Sequence, residues 1–310
     1  MTFTVAGADD RTRLDQFLAK HANCSRAEAR RLIEDGAVRV DGRRAQKGTL
    51  LSAGARVDLE RAPPSDDDKR PIPEPTLPLS VLYVDEALVA LDKPPGMPTH
   101  PLRAGERGTL ASALVARYPE CATVADDPRE GGAAHRLDID TSGVLVAGRT
   151  REAWLALRHA FSTGQVRKIY WALVSGRPPD AGEIDAPLAH ATARKVRALD
   201  DEWSDSDARP ALTRYQVLAR ADDFALIAAE AATGRMHQIR AHLAHAGFPL
   251  VGDPLYGGPP PFADAPGHFL HAERLTLPHP TTRVPLTVAA PLPPARARLL
   301  SSLLGFVAPH

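Results

Sequence analysis

Between residues 63 and 78 the chain carries Pro63, Pro64, Pro71, Pro73, Pro75 and Pro78, with the acidic run Asp66-Asp67-Asp68 among them. Proline removes backbone donors and like charges repel, so this stretch is expected to be an extended linker. It divides the 310 residues into a small segment, 1–62, and a large one, 79–310. The whole length is about twice a typical domain of ~150 residues, which suits one small and one large domain.

Hydrophobic residues make up 44% of the chain, enough to bury a substantial core, so a wholly disordered chain is excluded. Uncharged apolar runs such as Phe224 to Ala229 fall far short of the ~20 residues a membrane span needs. The first ten residues hold neither a basic leader nor an apolar core, so export is not expected and a cytoplasmic location is. Two cysteines, Cys24 and Cys121, cannot build a disulfide framework or a zinc cage. Basic and acidic residues balance at 38 each, so bulk charge points to no nucleic-acid partner. Such a partner has to be argued from where the charges sit.

Segment 1–62 reads as an α-then-β unit. Leu14, Phe17 and Leu18 fall at i, i+3 and i+4, one helical face. Ser25 followed by Glu28 is a capping-box pattern opening a second helix, with Leu32 and Ile33 as its buried face and Gly36 past its end. Asp41-Gly42 between Val38-Arg39-Val40 and Arg43 is the favoured two-residue hairpin turn, because both turn positions want positive φ. Beyond Leu79 short strand candidates appear at Ser80–Tyr83, Leu88–Leu91, Val144–Ala147, Tyr170–Val174, Thr213–Leu218 and Phe224–Ala229. Helices are expected at Thr150–Thr163 and His237–Ala246. Many strands with few, irregularly placed helices predict an α+β fold with a mixed, largely antiparallel sheet.

Three stretches could carry chemistry. His135-Arg136-Leu137-Asp138-Ile139-Asp140-Thr141-Ser142-Gly143 runs straight into the apolar Val144-Leu145-Val146. Polar residues crowded before a buried strand form a loop at a sheet edge, where functional groups are often displayed. Taken bare, the stretch is equally a hydrogen-bonded turn in which Asp138 or Asp140 caps backbone donors. Thr233-Gly234-Arg235-Met236-His237-Gln238-Ile239-Arg240 contains no acid and lies at a helix start, which favours anions. His237, His242 and His245 do not share one helical face and lack a zincin carboxylate, so no metal is expected; they are structural or phosphate contacts. Arg167-Lys168-Ile169-Tyr170-Trp171 could stack a base or be ordinary strand packing.

Together these residues resemble a known family. His-Arg-Leu-Asp-x-x-Thr-Ser-Gly at 135–143 is similar to the signature of the RluA-type RNA pseudouridine synthases. Lys93-Pro94-Pro95-Gly96 with His100, Lys168-x-Tyr170, and Gly234 to His242 followed by Gly252-Asp253-Pro254-Leu255-Tyr256-Gly257 resemble its other motifs in the same order. Arg13-Leu14-Asp15, Ser25-Arg26 and Gly36-x-Val38-x-Val40-Asp41-Gly42 resemble an S4 RNA-binding domain. Here Asp41 stands where Asn is commoner, and Ala53-Gly54-Ala55 replaces a more usual Gly-Asp.

The resemblance implies an S4-type domain at 1–62 and a pseudouridine synthase domain at 79–310. It implies that Asp138 is the catalytic aspartate, Tyr170 the active-site tyrosine and Arg240 the arginine paired with Asp138. His135, Arg136, Thr141, Arg235 and His237 are expected as support, fixing the loop and holding phosphates. The implied reaction is an isomerisation of uridine, so no redox cofactor, nucleotide or metal is expected. Arg26, Arg30, Arg31, Arg39, Arg43, Arg44 and Lys47 outnumber the four acids between 26 and 47. Bare, they are a solvated face; with the S4 pattern they are expected to meet RNA phosphates. Structured RNA is the expected partner, ribosomal before transfer RNA, bound by a monomer. A non-catalytic RNA-binding or ribosome-assembly protein is the alternative, against which the trio Asp138, Tyr170 and Arg240 argues.

Overall fold

A computed structural model describes residues 1–192, 195–200 and 205–308. The chain falls into two compact units, Met1–Lys69 and Arg70–His310. The first contains β1 (Thr2–Thr4), α1 (Leu14–His21), α2 (Arg26–Glu34), β2 (Val38–Val40), β3 (Arg43–Arg44) and β4 (Arg56–Leu59). Its antiparallel sheet runs in the order β1-β4-β2-β3. Leu14, Phe17 and Leu18 of α1 are buried against Leu32 and Ile33 of α2 and Val57 of β4. Burial of each large side chain contributes roughly 1.5–3 kcal/mol. The capping box forms: Ser25 Oγ accepts from the Glu28 amide and Glu28 returns a carboxylate to the Ser25 amide. Asp41 and Gly42 have φ of +48° and +78°, the paired positive values a tight hairpin turn requires.

The proline-rich stretch is not a plain extended tether. Ser65 caps a single helical turn, α3 (Asp66–Lys69), and Lys69 pairs with Glu28 inside the first unit. Glu74, in the second unit, accepts from the Gly108 amide, and its own amide donates to the Ser112 carbonyl. The acids that would repel one another in isolation find caps and cations here, and the boundary between units falls at 69/70 within the stretch.

The second unit is built on β5 (Ser80–Val84), β6 (Leu88–Lys93), β7 (Ser142–Gly148), β8 (Arg167–Ser175), β9 (Ala181–Asp185), β10 (Leu188–Thr192), β11 (Lys195–Ala198), β12 (Leu212–Ala221), β13 (Phe224–Ala231), β14 (Leu270–Pro278) and β15 (Pro285–Ala289). Among the described residues nine of these form one sheet, ordered β5-β6-β7-β14-β8-β13-β12-β9 with β15 paired to β14; β10 and β11 form a separate hairpin. All sheet pairings are antiparallel except β7 with β14. Every residue of β7 is buried, the mark of a strand covered on both faces.

Four helices cover the sheet: α4 (Leu110–Arg117), α5 (Arg151–Ser162), α6 (Gln238–His245) and α7 (Pro294–Leu304). Leu110 and Leu114 of α4 pack with Leu91 and Leu145, whereas Ile239 and Leu243 of α6 pack with Ala172, Ile227 and Leu270. Tyr170 of β8 borders both clusters. The boundary between these two layers is where the polar motifs converge. No described helix is long and apolar enough to cross a membrane.

Candidate active site

Asp138 sits on a tight turn immediately before β7, and the carbonyls of that turn are tied down. The Thr141 amide donates to the Asp138 carbonyl at 3.1 Å, closing the turn. Thr99 brackets Leu137, accepting from its amide at 3.1 Å and donating to its carbonyl at 2.8 Å. The Ile139 carbonyl accepts from the Gly96 amide at 2.9 Å and from Lys93 Nζ at 2.8 Å. Lys93 is fully buried and also donates to the carbonyls of Pro94 and Met97. Burial pushes its pKa down to about 7, while three carbonyl acceptors favour the ammonium.

The Thr-Ser-Gly sequence has a steric and a polar reason. Gly143 has φ +109°, and a Cβ there would lie 2.2 Å from the Ala272 carbonyl oxygen where β7 meets β14. Ser142 Oγ pairs with His271 Nδ1 at 2.9 Å, and Thr141 Oγ1 with His268 Nε2 at 2.8 Å. Both rings are buried, which lowers their pKa values to about 4 and about 3, so they act as neutral hydrogen-bonding partners.

Arg240, on α6, reaches the turn from the other layer. Its Nη1 donates to Asp138 Oδ2 at 2.8 Å, while Nε and Nη2 hold the two oxygens of Asp253 at 2.7 and 2.9 Å. Arg240 and Asp253 are almost completely buried. The guanidinium therefore has one carboxylate to fix it and a second to serve, in the forked geometry that suits arginine. Tyr256 supplies a ring 5.2 Å below it and takes part in a contact of 3.2 Å with His237 Nδ1. His237 adopts φ +51° at the start of α6 and places Nε2 3.7 Å from Asp138 Oδ1.

Burial of the Asp138 carboxyl opposes ionisation, but His237 and Arg240 outweigh it and hold its pKa below the usual carboxylate value. His237 is itself pushed below its ordinary value by burial, so at neutral pH its ring is uncharged. The lasting positive charge on Asp138 is therefore that of Arg240. Tyr170 lies in the same cleft; burial and the Asp138 charge raise its pKa well above that of a free phenol, so it is a neutral O–H. Lys168 is buried beside it, donates to the Thr233 carbonyl at 2.8 Å, and is lowered by burial to about 8.

These groups line an open cleft of about 1020 Å³, together with His100, His135 and Arg136. Small-molecule pockets span ~300–1,000 Å³, so this one has room for more than a base. Arg136 is exposed at the cleft and makes no hydrogen bond or ion pair to a described residue. His100 keeps Nδ1 buried without a partner among the described residues, and burial lowers it to about 4.

The sequence-derived site residues thus separate. Asp138, Tyr170, Arg240, Arg136 and His237 converge on the cleft. His135 is held to the backbone: the Val146 amide donates to its Nε2 at 3.1 Å, Phe161 stacks on it, and burial lowers it to about 3. A neutral ring held in this way fixes the loop. Thr141 likewise spends its hydroxyl on His268. Arg235 lines the cleft but donates to the Pro210 carbonyl, so of the two arginines in its motif it is Arg240 that meets Asp138. His242 is structural, buried between Thr213 and the Ala186 carbonyl, whereas His245 lies 3.4 Å from the exposed Asp200. No cluster of metal-ligating side chains occurs among the described residues.

In the first unit Arg26 and Arg30 donate to the buried Asp15, as does Arg13. Arg39 pairs with Glu60, Arg44 donates to the Glu34 carbonyl, and Lys47 lies 3.6 Å from the Glu34 carboxylate. Arg43 alone of the basic group has an exposed side chain without a hydrogen bond or ion pair to a described residue, Arg31 having a partner of its own. Asp253 carried no role in the sequence reading. Its signal was there: it is the first acid after Glu230, downstream of a basic motif that needs a counter-charge.

Comparison with known proteins shows the family of the chain. The family model described as RNA pseudouridylate synthase matches residues 87–245, and the S4 domain model matches residues 12–57. An uncharacterized RNA pseudouridine synthase of Chloroflexus aurantiacus is 42% identical over 282 residues, covering 91% of this chain and 86% of its own. Ribosomal large subunit pseudouridine synthase D of Pseudomonas aeruginosa is 36% identical over 305 residues, covering 94% and 92%. The structure of human RNA pseudouridylate synthase domain containing 4 superposes with a TM-score of 0.60 at 27% identity, covering 74% of this chain and 95% of that one. The family match spans the Asp138 turn, Tyr170 and Arg240, and the small N-terminal unit matches its own family separately. The chain belongs to the RNA pseudouridine synthases, isomerases acting on RNA, and carries an S4 domain at its N-terminus.

Proposed function

We propose that Asp138 is the catalytic carboxylate of this synthase, with Arg240 as its partner and Tyr170 as the face on which uracil packs. The observation that carries the reading is the charge-assisted contact of Arg240 Nη1 with Asp138 Oδ2 in a cleft large enough for a nucleotide. Conversion of uridine to pseudouridine breaks the N1–C1′ bond, turns the ring and joins C5 to C1′. The C5 proton leaves and N1 gains one, so atoms and electrons balance without a co-reactant. Asp138 has to be ionised for each form of this chemistry, whether it meets the sugar or the ring, and Arg240 supplies the charge that keeps it so. Tyr170, a neutral phenol beside that carboxylate, offers an aromatic surface and a hydroxyl positioned to relay the C5 proton.

A stacked uridine cannot enter the cleft, so the nucleotide must be flipped out, at a cost of a few kcal/mol. Arg136, exposed and uncommitted, is placed to meet the RNA backbone as this happens. The first unit, as an S4 domain, adds phosphate contacts from Arg43 and from Arg26, Arg30, Arg31, Arg39, Arg44 and Lys47. Exposed ion pairs such as Arg39–Glu60 are worth only ~0.2–1 kcal/mol, so phosphates exchange for them readily, whereas Arg26 and Arg30 keep the buried Asp15 and offer their remaining N–H donors. The substrate we assign is a uridine in structured large-subunit ribosomal RNA, modified by a cytoplasmic monomer. The 36% identity over nearly the whole length with the large-subunit synthase of Pseudomonas aeruginosa supports this target.

The test is to map pseudouridines in total RNA from cells with and without the gene, and to incubate the purified protein with unmodified ribosomal and transfer RNA. Loss of sites in large-subunit RNA, restored in vitro, is the expected result. Sites lost only in transfer RNA would move the substrate, and no lost site would leave the RNA-binding alternative.

A further inference from the structure

Arg296, in the first turn of α7, heads the set of fully buried large side chains, at 2% exposure. None of the sequence motifs contains it. Its Nη2 donates at 2.8 Å to the carbonyls of Asp140 and His268, and its Nη1 donates to Ser142 Oγ at 2.9 Å and the Leu270 carbonyl at 2.8 Å. Phe269 stacks against the guanidinium at 5.1 Å. Among the described residues these hydrogen bonds all go to uncharged acceptors. A buried cation without a hydrogen-bonded carboxylate is costly, and a fork of four donors is used to bridge β14 and the turn that carries Asp138.

The acceptors are not scattered. Asp140 and Ser142 flank Thr141, whose amide closes the Asp138 turn and whose hydroxyl meets His268. Lys93 holds the neighbouring Ile139 carbonyl from the opposite side of the turn. The turn is therefore clamped from β6 by Lys93 and from the C-terminal helix by Arg296, while the Asp138 side chain projects to Arg240.

We propose that Arg296 is a positioning residue for the reaction, locking the Asp138 turn to the C-terminal helix so that the carboxylate keeps its geometry against the substrate. It rests on Asp138 being the catalytic carboxylate. A displacement of about 1 Å at a reacting group can cost ~10²-fold in rate, so loosening this clamp is expected to be felt in turnover rather than in RNA affinity.

The experiment compares wild type with Arg296→Met, Arg296→Lys, Leu300→Ala and Asp138→Asn, all in the full chain. Leu300 is buried on the same helix in an apolar cluster with Trp171, Leu226 and Phe269, so Leu300→Ala loosens α7 while leaving the four hydrogen-bond acceptors of Arg296 in place. Single-turnover rate at saturating RNA, RNA affinity, and folded fraction by circular dichroism are measured at one temperature. Expected for Arg296→Met is a rate per folded molecule down ~30-fold or more with affinity within about two-fold, while Leu300→Ala keeps the wild-type rate per folded molecule. Arg296→Lys, which keeps a cation but not the fork, is expected to fall between. Should Arg296→Met fail to fold, the Lys variant carries the same comparison. Wild-type rate per folded molecule in both Arg296 variants, or an equal loss in Leu300→Ala, overturns the proposal. Activity surviving in Asp138→Asn would overturn the underlying reading instead.

Discussion

Arg240→Met separates what Arg240 does for stability from what it does for Asp138. Asp253 is 1% exposed and gives both oxygens to this one guanidinium. Removing it strands a buried carboxylate, at about 3–5 kcal/mol out of the ~5–15 kcal/mol typical of a folded domain. Replacing both ions, in Arg240→Met/Asp253→Leu, removes the stranded charge and is expected to return most of that stability. Activity should not return with it. An opposite charge at this range holds a carboxyl pKa down, so its loss lets burial carry that of Asp138 upward. Asp138 has a depressed pKa in the wild type, so ionisation is complete above that value and lost as pH falls through it; the variant moves the acid limb upward. At pH 5 the variant therefore holds a smaller ionised fraction of Asp138 than wild type, whereas at pH 8 the difference closes. The ratio of single-turnover rates at pH 8 and pH 5 should rise over wild type, by about tenfold for each unit that the acid limb moves above pH 5. The loss remaining at pH 8 then measures orientation alone. Tritium released from uridine labelled at C5 reads the reaction, since that hydrogen leaves as C5 joins the sugar. An unmoved acid limb, or activity regained in the double variant, would refute the dependence of Asp138 on Arg240.

Asp138→Asn keeps the shape of the side chain and is expected to lower turnover at least a thousandfold with RNA affinity preserved, by filter binding. Asp140→Asn should be far milder, since its carbonyl rather than its carboxylate is held by Arg296; the reverse order of the two would assign the wrong carboxylate. Deleting residues 1–69 should leave the Asp138, Tyr170 and Arg240 arrangement intact, because their hydrogen-bond partners lie at 70–308. Affinity for structured RNA should fall, and the slope of log affinity against log salt should drop by about 0.7–0.9 for each phosphate the truncated protein no longer neutralises; parallel slopes with equal affinity would show that the S4 unit does not grip RNA. Asp15, buried among Arg13, Arg26 and Arg30, has its pKa held down to about 2 against burial. Its stabilisation is present above pH 4 and lost as pH falls toward 2, so Asp15→Asn should cost about 1–2 kcal/mol at pH 7 after screening by solvent, fading in acid, by denaturant unfolding of the first unit.

Local rules were enough wherever a feature is closed within a few residues. The Ser25–Glu28 box and the Asp41-Gly42 turn involve neighbours three residues apart or fewer, and both appear where the sequence places them. Strands with unbroken apolar runs, β7 and β13, were legible for the same reason. β14 was not: His271, Glu273 and Arg274 interrupt its apolar residues, and His271 is accommodated only by tertiary partners, Ser142 and the Ala290 carbonyl. α4 is apolar on nearly every side, so no amphipathic period marks it, and α7 opens on prolines that read as a loop. The hairpin of β10 and β11 is short, and His190, Thr192, Lys195 and Arg197 break up its apolar residues.

The same distinction explains the site. Asp138 stood out because polar residues crowd before a buried strand, a pattern visible in one stretch. Its meaning, however, depends on Arg240, Asp253 and Arg296, at sequence separations of 102, 115 and 158 residues, and no periodicity links them. Counting charges could not do it either: the basic group of the S4 unit looked free for RNA, yet Arg26 and Arg30 neutralise Asp15, whereas the deeply buried Arg296 touches no carboxylate by hydrogen bond. What a charge is for is set by the acceptors that burial brings to it. In this fold the carboxylate we propose for the chemistry is left with one arginine contact and an open side, while the turn beneath it is held by donors from β6 and α7. That asymmetry, a rigid frame holding one incompletely satisfied ion, is the physical signature by which the candidate site differs from the equally charged but fully paired Asp15 cluster.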